Sequence, residues 1–299
     1  MKRIQHITTL ILLISSLQVS AQINPSPSQY FYNRLFQNVA YTGYDDGLRI
    51  NGAYRNTTPD NFTGSPVNMN FSVQSKLNER SGLGLQFQND RAGLLNKNRF
   101  MGSYAIDLSK GETRVRLGVG LGLMATRIIQ SGGVALIGDM NDPVVAAFNQ
   151  QRLKIDGSIG GMVERNGWAF MASMPSLGSL QEFSGYDAID YVLANTMISK
   201  KINLSKDEVG ETSISPMLGY RMIQGDGDVL DLGAMLNYRN WIKFLGIYHS
   251  NRELALGVGI PYKDKLSFDF TYNTGKVYSK NYMNVGGTLE MHVMFRFGK

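Results

Sequence analysis

The feature that most constrains the fold of this chain is a two-residue alternation of apolar and polar side chains, which returns along most of its length. Apolar side chains occupy the odd positions between residues 67 and 73, between 115 and 123, and between 289 and 297, with mainly polar residues or glycine between them. A period of two places one face of a β-strand in an apolar medium and the other face in a polar one. The sequence therefore predicts an all-β protein.

About fourteen such segments, each about ten residues long, follow one another along the chain. Ten residues is the length of a tilted strand that crosses a bilayer. The segments begin near residues 48, 67, 83, 98, 112, 153, 167, 188, 212, 229, 241, 253, 265 and 285. An even number of strands is typical of bacterial outer-membrane barrels. We therefore predict a transmembrane antiparallel up-and-down β-barrel of about 14 strands, with a non-strand N-terminal segment.

The connections between these segments tend to alternate in length. Short connections are predicted at 78–81, 109–111 and 164–167, and long ones at 57–66, 90–97 and 125–152. The alternation weakens later, because the connection at 201–211 falls on the short side and that at 249–252 on the long side. Outer-membrane barrels have short periplasmic turns and longer extracellular loops. Both chain termini are therefore expected on the periplasmic side of the barrel wall.

Composition helps to separate this fold from a soluble β-sandwich or propeller, whose strands also alternate. The chain has 33 Gly, 15 Tyr and 14 Phe, no Cys, and only 18% charged residues. The polar faces of the strands nevertheless carry charges of both signs, and unpaired charge in a sandwich core is costly. Absence of Cys excludes disulfide frameworks, thiolate zinc sites and cysteine nucleophiles. A membrane barrel with a polar lumen fits these observations better.

The first residues have the form of a secretory signal peptide. Lys2 and Arg3 precede a largely apolar stretch from Ile7 to Leu17, and Val19-Ser20-Ala21 is a small-x-small cleavage site. The predicted divisions are a signal peptide at 1–21, a periplasmic or lumen-plugging segment at 22–47 and an outer-membrane barrel at 48–299. Removing the signal takes away two basic residues and no acidic ones, so the net charge falls from +6 to +4. A nucleic-acid partner is therefore not expected.

Short motifs after the signal resemble a known family. Ser28-Gln29-Tyr30 leads to Asn33, Asn38-Val39-Ala40-Tyr41-Thr42-Gly43 follows, and Ala53-Tyr54-Arg55-Asn56 ends the first strand. In this order and spacing they resemble the PorP/SprF family of type IX secretion system membrane proteins. The chain departs from the family pattern at Val39, where a proline is usual. The motif residues of the N-terminal segment are Gln29, Tyr30, Asn33, Asn38, Ala40, Tyr41 and Gly43.

The resemblance implies a function in attachment and not in catalysis. Members are outer-membrane components of the type IX secretion and gliding apparatus, and many are matched to one secreted surface protein with a type B C-terminal domain. The expected partners are membrane lipid, such a secreted protein and periplasmic components of the system; no cofactor or metal is expected. The alternative is an outer-membrane diffusion channel or small-solute transporter.

The predicted partner-binding residues lie in the long loops. An apolar stretch in the 125–152 loop and aromatic residues near 175–187 and 274–284 would share one rim of the barrel, where they either dock a partner or fold over the barrel mouth. These residues are Val144, Val145, Phe148, Phe183, Tyr186, Tyr278 and Tyr282.

The predicted lumen face carries charges that can pair with one another. They include Arg49, Arg55, Arg116, Asp231, Asp269, Glu290 and His292. Because the first and last strands close a barrel, we expect Arg49 or Arg55 to meet Glu290.

Glycines at 118, 120, 122, 157, 160 and 161 are predicted to point mostly into the lumen. They would serve either strand curvature or the accommodation of an inserted peptide. Only His249 and His292 remain after the signal as candidate catalytic bases, which disfavours an outer-membrane hydrolase.

Overall fold

The computed structural model describes residues 28, 30–57, 66–128, 149–150, 153–178, 192–207, 210–223, 228–263, 265–274 and 287–298. Most of them are in β-strands. The strands are β1 Leu48–Thr57, β2 Val67–Asn78, β3 Ser81–Ala92, β4 Leu95–Asp107, β5 Arg114–Ile128, β6 Lys154–Arg165, β7 Trp168–Met174, β8 Val192–Lys200, β9 Ile202–Asp207, β10 Gly210–Ile223, β11 Val229–Tyr238, β12 Ile242–His249, β13 Glu253–Tyr262, β14 Leu266–Asn273 and β15 Thr288–Phe297.

The strands form one closed antiparallel barrel. Sequential neighbours pair around the wall, β1 pairs with β15 from Leu48 opposite Phe297 to Thr57 opposite Thr288, and β10 pairs with both β8 and β11. Strand β9 continues β8 after a break at Lys201 and pairs with the beginning of β10. The barrel thus has 14 strands and one extra strand. This confirms the predicted fold class.

The two ends of the barrel differ in their connections. At one end, here called the short-turn end, the strands are joined at residues 79–80, 108–113, 166–167, 239–241 and 263–265, and both β1 and β15 have their outer ends there. The opposite end is the loop end, with connections 129–153, 175–191 and 274–287. In outer-membrane barrels the short turns face the periplasm.

Two of the predicted connections are wrong. The 90–97 connection is a two-residue turn at 93–94, because β3 and β4 pair as far as Ala92 and Leu95. Most of 201–211 is strand, formed by β9 and the beginning of β10, whereas the predicted connection at 249–252 agrees with the observed one at 250–252. The alternation of apolar and polar side chains ends where a strand leaves the lipid. The hydrogen-bonded pairing of the backbone continues beyond that point, so the side-chain pattern underestimates the length of the strand.

The outer wall shows where the lipid-facing band ends. Phe87, Phe100 and Leu123 lie side by side across β3, β4 and β5 on the outward face. In the next outward row towards the loop end, the Asn89 amide donates to the side chain of Asn98 at 2.7 Å. The outward side chains change from apolar to amide between these two neighbouring rows, which marks the edge of the lipid-facing band on the side of the loop end. No helix in the described residues is long and apolar enough to cross a membrane.

Replacing Leu121 with arginine tests the depth of this band. Leu121 faces outward at the middle of β5 and is 71% exposed, so the barrel places it in the acyl core of the lipid. Arginine at the bilayer midplane costs about 2–4 kcal/mol in such barrels. We expect that loss of unfolding free energy, measured by urea titration of the barrel refolded into lipid vesicles.

Ala125→Arg is the matched control, because Ala125 is on the same face of the same strand but level with Asn98. Near the interface the cost falls to about 0–1 kcal/mol. Equal destabilisation by the two substitutions would contradict the placement of the band.

Candidate functional site

The candidate site is the barrel lumen, which contains a segment of the same chain. The N-terminal segment, residues 28–47, has a single-turn helix, α1 Arg34–Gln37, and a 3₁₀ turn at Val39–Tyr41. Its side chains and backbone contact inward-facing residues of β2, β4, β5, β6, β7, β8, β11, β14 and β15. These strands lie on all sides of the lumen, so the segment passes through its centre.

At the loop end the segment is held by a buried charged cluster. The Tyr30 hydroxyl donates to Asp231 Oδ2 at 2.5 Å. Arg221 donates to both oxygens of the same carboxylate at 2.8 and 2.9 Å, and His249 Nδ1 lies 2.5 Å from Oδ1. Such pairs withstand burial only when their remaining hydrogen-bonding positions are filled. Tyr30 therefore completes the coordination of Asp231 as well as fixing the segment.

The N-terminal end of the segment lies near the same cluster. The Ser28 hydroxyl donates to Asn273 Oδ1 at 3.1 Å, and the Ser28 amide donates to Glu290 at 3.4 Å. Asn273 is the last residue of β14 and Glu290 the third of β15, both near the loop end. The chain therefore runs from the loop end at Ser28 to the short-turn end, where β1 begins at Leu48.

Halfway along the lumen the barrel wall binds backbone groups of the segment. The Gln37 carbonyl accepts from Ser173 at 2.6 Å and from Asn195 at 3.1 Å. The Asn38 side chain in turn donates through its Nδ2 to the backbone carbonyls of Gly161 and Ala172, at 2.9 and 3.1 Å. Both partners of each bond are thus removed from water without loss of hydrogen bonding.

Towards the short-turn end, Arg116 is the principal contact. Its Nε donates to the Ala40 carbonyl at 3.0 Å and its Nη2 to the Thr42 carbonyl at 2.5 Å, and the side chain is only 2% exposed. Asp107 Oδ2 lies 3.4 Å from Nη1 and balances the charge. One guanidinium group therefore satisfies the hydrogen-bonding capacity of two carbonyls in a segment that is not paired with a β-strand.

Tyr44 completes the attachment at this end. Its hydroxyl donates to Glu164 Oε2 at 2.5 Å, and its ring packs under Arg114 at 4.8 Å. Burial, together with the Glu164 carboxylate beside it, raises the pKa of Tyr44 above its ordinary value. The phenol therefore stays protonated and remains a donor throughout the physiological pH range.

One part of the lumen wall is apolar, which the sequence does not predict. Met162, Met171 and Met197 lie opposite one another on β6, β7 and β8 and are almost fully buried. They pack in one cluster with Tyr30 and Tyr41 of the segment. Methionine adapts to irregular gaps and makes favourable contacts with aromatic rings. The signal in the sequence was the weakened alternation near 167–174 and 242–249, where both faces of the strand are apolar.

Two inward glycines provide room for the segment. A Cβ on Gly118 would lie 2.4 Å from the carbonyl carbon and oxygen of Val39, and one on Gly160 would lie 2.0 Å from Asn38 Oδ1. Gly157 and Gly161, by contrast, occupy outward positions of β6, so the expectation that the glycines mostly point inward is wrong for these two. Of the two explanations offered by the sequence, space for an inserted peptide applies to Gly118 and Gly160.

The predicted lumen charges are placed as follows. Arg55 lies opposite Glu290 across the β1–β15 closure, and both are buried. Arg49 bonds instead to Asp45 at 2.6 Å, near the short-turn end. His292 does not pair with Glu290: its Nδ1 lies 2.8 Å from Asp269 Oδ2, and its ring stacks on Tyr32 with centroids 6.0 Å apart.

The motif residues of the N-terminal segment, apart from Gln29, are in the lumen. Asn33 donates to Ser72 at 3.3 Å, and the Gly43 amide donates to Gln74 at 2.9 Å. Gln29 and all seven predicted partner-binding residues lie outside the described residues, as does the predicted signal peptide. The partner-binding residues are Val144, Val145, Phe148, Phe183, Tyr186, Tyr278 and Tyr282.

Comparison with known proteins identifies the family. The family model described as type IX secretion system membrane protein PorP/SprF matches residues 19–295. This chain belongs to the PorP/SprF family. It is therefore a type IX secretion membrane protein, and its barrel places it in the outer membrane. No curated protein sequence matches it.

Solved structures of outer-membrane barrels share the fold of this PorP/SprF protein. The toluene transporter TbuX of Ralstonia pickettii is 10% identical with a TM-score of 0.54, covering 94% of this chain and 96% of that one. The CymD monoaromatic hydrocarbon channel is 12% identical with a TM-score of 0.53, covering 96% of each chain. Omp33 of Acinetobacter baumannii is 5% identical with a TM-score of 0.52, covering 86% of this chain and all of that one. At these identities the similarity shows the fold alone.

Substitution of Gly118 tests whether the wall holds the segment by close approach. Gly118→Val would force Val39 away from β5, and overpacking of this kind costs about 1–3 kcal/mol. We expect trypsin to cleave after Arg34 roughly tenfold faster or more in the variant, because cleavage tracks the population of the released segment. The rate is measured on the barrel in lipid nanodiscs.

Gly161→Val is the control on the neighbouring strand. Its Cβ would lie 3.2 Å from the flexible end of Leu117, on the outer face, and at an ordinary contact distance of 3.8 Å from the Arg116 carbonyl oxygen. Its cleavage rate is expected to match that of the unsubstituted protein. Similar rates for both variants would show that the segment does not depend on Gly118.

Proposed function

We propose that this protein is an outer-membrane component of the type IX secretion and gliding apparatus that binds a secreted surface protein through its type B C-terminal domain and anchors it at the cell surface. Membership of the PorP/SprF family supports a role in that system. The observation that carries the proposal is the occupied lumen: residues 28–47 run from the loop end to the short-turn end.

The contacts of the segment favour permanent occupation of the lumen. Tyr30, Gln37 and Arg116 take part in separate buried hydrogen bonds near the loop end, in the middle and near the short-turn end. A solute path through the centre would require all three sets to break, and each lost buried hydrogen bond costs about 1–3 kcal/mol. A filled barrel is better suited to presenting a fixed outer surface than to passing solutes.

The loop end is the surface assigned to the secreted partner. It faces the cell exterior in barrels of this type. The longest connection there, 129–153, includes the apolar residues Val144, Val145 and Phe148. Apolar patches rimmed by polar residues mark protein interaction sites. The 175–191 and 274–287 connections join strands at the same end of the barrel and contain the predicted aromatic residues Phe183, Tyr186, Tyr278 and Tyr282.

The alternative function, a diffusion channel or small-solute transporter, has no comparable support. TbuX and CymD are a transporter and a channel, but their similarity to this chain extends to the fold alone. A channel also requires a continuous path past the N-terminal segment. Solute passage therefore ranks below anchoring.

Affinity purification from outer membranes tests the anchoring proposal. A tagged protein is solubilised in detergent, and the proteins that accompany it are identified by mass spectrometry. We expect a large exported protein with a type B C-terminal domain, and we expect it to be lost when residues 129–148 are replaced by a short Gly-Ser linker. The loss follows from removal of the apolar loop surface.

Replacement of residues 58–65 by the same linker is the matched control, because this connection is at the same end and contains none of the predicted partner-binding residues. The variant with this replacement should still recover the exported protein. Recovery of no such exported protein, or equal recovery with both loop variants, would contradict the assignment of this function to the 129–148 loop.

Conductance in planar bilayers tests the occupied lumen separately. The unsubstituted barrel is expected to show no stable ion conductance, whereas deletion of residues 28–43 should produce open channels. The deletion removes the chain that fills the interior and leaves the polar inward wall. Stable conductance by the unsubstituted protein would favour the channel.

A further inference from the structure

We infer that a cleft at the short-turn mouth of the lumen is a binding site for a carboxylate attached to an apolar group, as at the C-terminus of a polypeptide. The cleft has a volume of about 270 Å³ and lies between the N-terminal segment and strands β1 and β2. This site is at the opposite end of the barrel from the proposed surface for the secreted protein. The inference therefore goes beyond the proposed function.

The walls of the cleft are mainly aromatic and cationic, and their one carboxylate, Asp45, is bonded to Arg49. Phe31, Tyr41 and Tyr44 supply aromatic surface, and Arg34 and Arg49 supply guanidinium groups. Ligand sites are typically apolar cavities with a few polar groups that fix orientation. The volume is slightly below the about 300–1,000 Å³ of pockets for drug-sized ligands, which suits one terminal residue.

Arg49 has hydrogen-bonding capacity that the described residues do not use. Its Nη1 bonds to Asp45 at 2.6 Å, but its Nε is buried and has no hydrogen-bond partner. A buried unpaired donor is costly, more so on a charged group. Guanidinium groups bind carboxylates bidentately through two adjacent N–H groups. The Arg49 side chain is 23% exposed, so part of it can be reached from the cleft by an incoming carboxylate.

The charge around Arg49 also favours an anion. Arg49 lies directly opposite Arg296 in the β1–β15 pairing, with both side chains on the inward face. Like charges directly opposite one another destabilise a sheet. Within the described residues, Arg296 bonds to a backbone carbonyl, that of Asp46, at 3.0 Å. Arg34 adds a third guanidinium, with Glu164 at 3.6 Å and the Tyr41 ring at 5.3 Å.

The aromatic wall selects what accompanies the carboxylate. Arg34 and Arg49 side chains are 37% and 23% exposed, so solvent reaches the charged part of the cleft. A free inorganic anion would bind there but would leave Phe31 and Tyr44 in contact with water. A carboxylate next to an apolar side chain covers both, because burying aromatic surface contributes to binding. In barrels of this type the short-turn end faces the periplasm, so the ligand is expected there.

Calorimetric titration of two peptides against the full-length barrel in nanodiscs tests the inference. The probes are acetyl-Gly-Phe as the free acid and as the C-terminal amide. We expect the acid to bind roughly tenfold or more tightly than the amide, since only the acid makes charge-assisted hydrogen bonds. Arg49→Gln should abolish this difference, and Arg49→Lys should restore it in part, because lysine keeps the charge but not the fork.

Arg165→Gln is the matched control, because Arg165 is at the same end of the barrel but outside the cleft. It should bind both peptides as the unsubstituted protein does, and the heat-dependent gel mobility of each variant shows that the barrel is folded. Equal binding of acid and amide, or a preference for the acid that survives Arg49→Gln, would overturn the inference. Displacement of the acid by millimolar inorganic phosphate would overturn the specificity for a carboxylate with an apolar group.

The test separates this inference from the proposed function. Arg49→Gln should leave recovery of the exported protein in the affinity purification unchanged, since that depends on the loop end. Loss of the exported protein in this variant would contradict the independence of the two sites.

Discussion

The structure depends on satisfying the backbone of an irregular segment inside a closed barrel. The N-terminal segment has only one turn of α-helix, so most of its N–H and C=O groups need partners from elsewhere. Wall side chains supply them: Arg116 binds two carbonyls, Ser173 and Asn195 bind that of Gln37, and Gln74 accepts from Gly43. This explains an inward face rich in amides, hydroxyls and paired charges. The part of the chain that the structure describes has no ring of like charge of the kind that lines ion pathways.

The number and approximate positions of the strands were predictable, because lipid on one side and a polar lumen on the other impose a strict period of two. The ends of the strands were not predictable, since the β3–β4 hairpin continues beyond the lipid band to Ala92 and Leu95. The family motifs were recognisable in the sequence, but the sequence did not determine whether they lie in the periplasm or in the lumen. No local pattern shows that Asn38 reaches Ala172, which is 134 residues away.

Partner choice among the lumen charges was equally hidden from the sequence. Closure of β1 on β15 correctly suggests that Arg55 faces Glu290, because both positions follow from strand order. The pairing of Asp231 with Arg221 and His249 depends on register across three strands, which a one-residue shift would change. The methionine row escaped notice for a different reason: it makes the inward face of β7 as apolar as its outward face, and the alternation disappears.

The two ends of the lumen differ in how far their charged groups are paired. At the loop end, Tyr30 joins a compact buried set in which Asp231 has three partners. At the short-turn end, Arg49 and Arg296 face each other with a single carboxylate, Asp45, bonded to Arg49. Because an unpaired buried donor and a like-charge pair both reduce stability, this end retains binding energy for an anion that the loop end has already used internally. The N-terminal segment thus stabilises the barrel at one end and forms a recognition surface at the other.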